Sequence, residues 1–97
     1  MRRFEWDDEK EEANWRKHGI RFDQAASVFG DPRSFSEPDN RFEHGEERWR
    51  TIGMAEGRCL MLFVAHTTHE NGMEVIRIIS ARRANRKERK LYGNRKF

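Results

Sequence analysis

Apolar residues along this chain recur with two periods. Phe4-Glu5-Trp6 alternates and predicts a short strand. Asp8 with Glu11 three residues on has the spacing of a capping box, and Gly19 supplies a stop, so a helix is expected between them. Its i, i+3, i+4, i+7, i+8 stripe reads Lys10, Ala13, Asn14, Lys17, His18. That stripe is polar where a core-facing helix is apolar, so something other than apolar burial has to hold it. Asp23 is placed to cap a second helix, in which Phe22, Ala25, Ala26 and Phe29 recur at helical spacing until Gly30 and Pro32 end it. Residues 32–46 are polar, carry the turn signal Pro38-Asp39-Asn40, and read as a mobile stretch or an edge strand. Residues 48–54 form a strand closed by Glu56-Gly57, and residues 59–67 are apolar on both faces, hence a central strand. Asn71-Gly72 is the strongest hairpin signal and leads into a β-branched run at 74–81, giving an antiparallel meander. Asn85 with Glu88 opens a last helix over 86–92, ending near Gly93. The order predicts a small single α+β domain over residues 1–97: an antiparallel sheet with two N-terminal helices and a C-terminal helix.

Length agrees with one domain, since 97 residues of which 35% are apolar supply one modest core. The longest apolar run, residues 60–65, falls far short of the roughly 20 residues of a membrane span. Charge in Arg2, Arg3, Glu5, Asp7 and Asp8 stands where a secretory signal needs apolar residues, so a cytoplasmic protein is expected. The single Cys59 is expected to be a buried, inert thiol. Charge is segregated along the chain. Residues 82–97 hold eight Lys or Arg against Glu88 alone, a net +7, and the remaining residues are at −4. Such a tail suits a polyanion, an acidic protein surface or a solvated helix face, and makes Arg83, Arg86 and Arg89 candidate polyanion contacts.

Arg77 is the most informative single residue, because it interrupts Val75-Ile76-Arg77-Ile78-Ile79, a strand that otherwise buries both faces. Its guanidinium needs either a carboxylate such as Glu74 or Glu47, or a phosphate at the sheet surface. Arg82, five residues on, points to the opposite face if the strand stays regular. Glu47 is the carboxylate nominated as a base, and a surface ion pair is its structural alternative. His18, His44 and His66 are proton-transfer candidates because histidine titrates near neutrality. His66 and His69 are three apart, which splits them across a strand, and no cysteine or close carboxylate completes a metal site. No phosphate-cradling glycine loop, nucleophile elbow or dinucleotide fingerprint occurs, so neither a cofactor nor a metal is expected. The chemistry that remains is RNA cleavage by a neighbouring 2′-hydroxyl, which needs cations at the phosphate and one or two proton-handling groups. Trp6, Trp15, Trp49 or Tyr92 either stack bases or pack the core.

Phe4-Glu5-Trp6-Asp7, Lys10, Asn14, Lys17-His18-Gly19-Ile20, Phe22, Ala25, Phe29 and Asp31-Pro32 together resemble the N-terminal signature of the BrnT toxins. Glu47-Arg48, Ile52-Gly53, His66-Thr67, Arg77-Ile78-Ile79-Ser80-Ala81-Arg82 and Glu88-Arg89 with Tyr92 are similar to the remaining landmarks, in order. The resemblance implies a ribonuclease toxin of a type II toxin–antitoxin system, with a fold similar to the RelE toxins and arrest of protein synthesis through RNA cleavage. It also implies a BrnA-like ribbon-helix-helix antitoxin, through which alone the complex meets operator DNA; a homodimer is compatible with it. By the same resemblance Lys17, His18, Glu47, Arg48, His66, Arg77, Arg82 and Tyr92 are site candidates, while Gly19, Ala25, Phe29, Ile52 and Gly53 suit turn and core roles. Thr68-His69-Glu70-Asn71-Gly72-Met73 departs from the pattern, being longer and less basic than expected for that hairpin.

The expected function is a metal-independent endoribonuclease in which Arg77, Arg82 and Lys17 hold phosphate and His18, Glu47, His66 or Tyr92 moves protons. The alternatives are a non-catalytic partner that tunes a repressor, and direct DNA binding through residues 86–96. The enzymatic reading requires an accessible electropositive surface where the last strand meets the first and last helices. Guanidinium groups locked against acids of the same chain, with no hollow beside them, would favour the repressor partner.

Overall fold

Asp7, one residue earlier than the sequence suggests, starts the first helix. Its carboxylate accepts hydrogen bonds from the backbone N–H groups of Glu9 at 2.8 Å and Lys10 at 3.1 Å, and these bonds hold its pKa below the usual value. The helix, α1, spans Asp8–His18, with acids in its first turn, bases in its last, and a stop at Gly19 in the left-handed region. Glu11 is not part of a capping box. Its carboxylate accepts from the backbone N–H of Phe22 at 3.2 Å and ties α1 to the next helix. That helix, α2, spans Phe22–Ser27 and is entered from Arg21, whose N–H is bonded by the Gln24 side chain, so Asp23 is not its cap. A 3-10 turn, Val28–Gly30, follows.

The computed structural model describes residues 2–43, 45–57, 60–70 and 72–94; the expectations for His44, Cys59, Asn71, Arg95 and Lys96 lie outside the described residues. Five strands, β1 (Arg2–Trp6), β2 (Phe35–Glu43), β3 (Glu46–Met54), β4 (Met61–Glu70) and β5 (Glu74–Arg83), form one sheet in the order β1-β5-β4-β3-β2. The meander β2 to β5 is antiparallel as expected, but β1 runs parallel to β5, so the sheet is mixed. Parallel pairing becomes available because β1 and β5 are separated by helices and strands instead of a tight turn. The polar segment 32–46 contains the edge strand β2, whose pairing is irregular between Pro38 and Phe42. Proline is at home on such an edge. The last helix, α3 (Arg86–Gly93), has the Asn85–Glu88 capping box read from the sequence.

The core lies on one face of the sheet, where Leu62, Val64, Ile76, Ile78 and Ala81 meet Ile20, Phe22, Ala25 and Val28. Trp6 packs edge-on against Phe22 with centroids 6.0 Å apart. α1 takes a different position. Because β1 pairs only with residues 74–78, the outer edge of β5 from Ile79 onward has no strand beside it. Asn14, 6% exposed on the polar stripe, fills that role. Its amide donates to the carbonyls of Ala81 and Ile20, each at 2.9 Å, and its oxygen accepts from Ala81 N–H at 3.0 Å.

Candidate nucleic-acid interface

A bulge in β5 decides which face Arg82 shares. Ala65 pairs with Ser80, but His66 pairs with Ile78, so Ile79 is an extra residue. An extra residue reverses the alternation of side chains. Arg77 and Arg82, an odd number of positions apart, therefore share the sheet face opposite the core. Their cross-strand neighbours on β4 are Thr67 and Phe63, which are of like parity.

One row on this face crosses the whole sheet. Arg77 is opposite Glu5 on β1 and Thr67 on β4, and Thr67 is opposite Arg48 on β3. Arg48 ends the row against Asp39 of β2, with Nε–Oδ2 at 3.1 Å. Acid, arginine, threonine, arginine, acid is thus the order from edge to edge. The Arg77–Glu5 pair is loose: 3.4 Å, with both side chains about one-third exposed (35% and 34%). Asp39 also lies 2.8 Å from Arg41 and 3.8 Å from Arg50, and Glu43 bridges Arg48 at 3.6 Å and Lys10 at 3.3 Å. Thr67 is 1% exposed, and its hydroxyl has no hydrogen-bond partner among the described residues.

Arg82 is committed differently. Both its NH groups donate to Glu88, at 2.8 Å each, and its guanidinium stacks 4.1 Å from the centroid of Phe63. The Glu88 hydrogen bond raises the pKa of Arg82. Burial acts to raise the Glu88 carboxyl, but the hydrogen bonds from Arg82 and the Asn85 amide, with the charges of Arg82 and Arg50, outweigh it and leave it lowered. The pair fastens α3 to the sheet.

The other nominated residues are spread over the fold. Lys17 and His18 line a groove of about 360 Å³ between α1 and the bulge, together with Lys10, Asn14, Ile79 and Ser80. Glu47 is exposed and pairs with Phe42, on the pleat opposite to Arg48. His66 faces the core at 3% exposure, with Nε2 2.7 Å from the Thr51 hydroxyl, Nδ1 3.2 Å from the Thr68 hydroxyl, and Phe29 edge-on at 4.9 Å. Burial lowers its pKa to about 4, against smaller raising effects from the Thr67 backbone and Glu74, so the ring is neutral at pH 7. Tyr92 is buried and donates to Asp31 at 2.7 Å. His66 is thus on the sheet face away from Arg77, where it lines a hollow of about 330 Å³ with Arg2, Phe29, Trp49, Thr68 and Glu74. Arg83, Arg86 and Arg89 are exposed at the end of β5 and along α3.

One residue that the sequence reading set aside lies next to the row. His69 follows Thr67 by two positions on β4, hence on the same face about 7 Å along the strand. Its Nδ1 is 3.1 Å from Glu46 of β3. Counting by two from Thr67 would have found it. No group of three or more His, Cys, Asp or Glu suited to a metal ion occurs among the described residues, and no helix of the described residues is long and apolar enough to cross a membrane.

Known proteins share this architecture. The crystal structure of the Brucella abortus ribonuclease toxin BrnT superimposes with a TM-score of 0.58 at 23% identity, covering 89% of this chain and 99% of that one. At that identity the likeness concerns the fold. No curated protein matches the chain. A family model described as "Ribonuclease toxin, BrnT, of type II toxin-antitoxin system" matches residues 6–88, which takes in every element from the end of β1 to the first turn of α3. This chain belongs to the BrnT family of ribonuclease toxins of type II toxin–antitoxin systems.

Proposed function

We propose that this chain is a metal-independent endoribonuclease that cleaves RNA on the open sheet face and so arrests protein synthesis. The observation that carries the reading is the placing of Arg48 and Arg77 on either side of Thr67 by strand register, with His69 two residues along β4 on the same face. In the reaction a 2′-oxygen bonds to the adjacent phosphorus while the bond to the 5′-oxygen breaks. The 2′-hydroxyl proton passes to His69, with Glu46 behind it, and the leaving 5′-oxygen takes a proton from solvent water. Arg77 and Arg48 exchange their carboxylate partners for the phosphate and stabilise its extra negative charge. Lys17 and His18 guide the strand along the α1 groove, and Arg83, Arg86 and Arg89 extend the basic path. Arg82 holds α3 in place.

The cognate inhibitor in this reading is a BrnA-like ribbon-helix-helix antitoxin in the same cytoplasm, through which the complex meets operator DNA. Expression without an antitoxin tests it: growth arrest is expected with the natural chain and its loss with Arg77→Ala that remains folded. Arrest by that variant would remove Arg77 from the mechanism.

A second reading, a non-catalytic partner that tunes a repressor, draws support from the carboxylate already facing each of Arg48, Arg77 and Arg82. RNA incubated with the purified chain in EDTA separates the two, since fragments are expected only under the first.

A further inference from the structure

We infer that Thr67 is a phosphodiester-binding residue, the floor of an anion subsite whose walls are Arg48 and Arg77. The inference rests on the ribonuclease reading and assigns to that site a residue without charge. Neighbouring strands are about 4.8 Å apart, so the arginines one strand to either side of Thr67 start about 10 Å from each other. Their side chains are long enough to close over an anion between them. The Thr67 hydroxyl, buried at 1% exposure, has no partner among the described residues. Buried polar groups are nearly always hydrogen-bonded, and a buried orphan donor marks a strained vacancy or a place where a ligand oxygen belongs.

A second atom in the row is similarly placed. Arg48 Nε is buried and 3.1 Å from Asp39 Oδ2, yet off the line of a hydrogen bond. Its N–H is held by charge and not by bond geometry. Entry to the subsite runs through the looser pair: Glu5 is 3.4 Å from Arg77 on the side of β5 away from Thr67, so a guanidinium that leaves Glu5 is free to swing toward Thr67. A non-bridging phosphate oxygen then accepts from the Thr67 hydroxyl while the arginines donate to its neighbours. The carboxylates at the two ends of the row, Glu5 and Asp39, select against ligands that cannot replace both ion pairs at once.

The test uses Thr67→Val, which keeps the shape of the side chain and removes only the hydroxyl. The probes are a 2′-O-methyl oligonucleotide, which carries phosphodiesters but cannot be cleaved, and inorganic phosphate. Expected results are a Kd for the oligonucleotide raised about tenfold, the cost of one hydrogen bond to a charged group, with a Tm of the free variant equal to or above that of the natural chain. Inorganic phosphate is expected to raise the Tm of the natural chain more than that of the variant if a free anion suffices, and neither if the diester is required. An unchanged Kd, no binding by the natural chain, or a lowered Tm, which would give the hydroxyl a partner in the free protein, overturns the inference. Thr67-dependent binding without RNA cleavage by the natural chain in EDTA would instead refute the ribonuclease reading and leave this subsite standing.

Discussion

The Asn14 carboxamide pairs with the Ala81 peptide as a neighbouring strand would, donating to its carbonyl at 2.9 Å and accepting from its N–H at 3.0 Å. This contact explains how a helix with a polar inner stripe stays on a sheet edge. Replacing Asn14 with Ala leaves the Ala81 N–H and two carbonyls without their partner in a buried place, which costs on the order of 3 kcal/mol. In a domain of this size the Tm of Asn14→Ala is expected to fall by roughly 10–20 °C, measured by calorimetry.

His66 makes stability depend on pH. Its folded pKa of about 4 lies below the unfolded value of 6.5, so between those limits the unfolded chain binds the extra proton and stability falls as pH is lowered. A shift of this size corresponds to about 3 kcal/mol, fully present above pH 6.5 and lost by pH 4. Denaturant titrations at pH 7 and pH 4.5 are expected to show a smaller pH difference for His66→Asn than for the natural chain.

Glu88 couples the cap of α3 to Arg82. Glu88→Gln gives up the ionic part of that contact, at about 1–2 kcal/mol after allowance for the exposure of Arg82. Faster hydrogen exchange is expected in α3, with β3 and β4 unchanged. Because the Glu88 carboxyl is lowered, this stabilisation exists above its ordinary pKa and fades as pH falls through the folded value.

Gly53 has no room for a side chain. A Cβ there would come within 2.7 Å of Ser34 Cβ and 2.9 Å of Val28 Cγ1. Gly53→Ala is expected to destabilise by about 1–3 kcal/mol through overpacking, read as a shift in the urea midpoint with an unchanged slope.

The elements of this fold were legible because each has a local cause: the Gly19 stop, the Asn85–Glu88 box, and the both-faces-apolar run of β4. What escaped depends on contacts distant in sequence. Nothing in Phe4-Glu5-Trp6 says that its partner is β5 or that it runs parallel. The polar stripe of α1 was visible as an anomaly, but its solution is a backbone group 67 residues away. The site was legible as residue types and not as an arrangement. Ile79 lies in a uniform β-branched run, so no residue announces the bulge that turns Arg77 and Arg82 to one face, and Arg77 finds Glu5 instead of Glu74 or Glu47 because β1 lies beside it. His66 was legible by type, but its place beside Phe29 on the face away from Arg77 was not.

The measurement that bears most directly on the central claim is the rate at which purified chain cleaves RNA in EDTA, compared among the natural sequence, Arg77→Ala and Arg48→Ala, with Tm recorded for each. Loss of one transition-state donor costs about 10²–10³ in rate, so a fall of at least a hundredfold is expected for both variants with Tm within a few degrees. An inert natural chain, or a folded Arg77→Ala that cleaves at the natural rate, would contradict it.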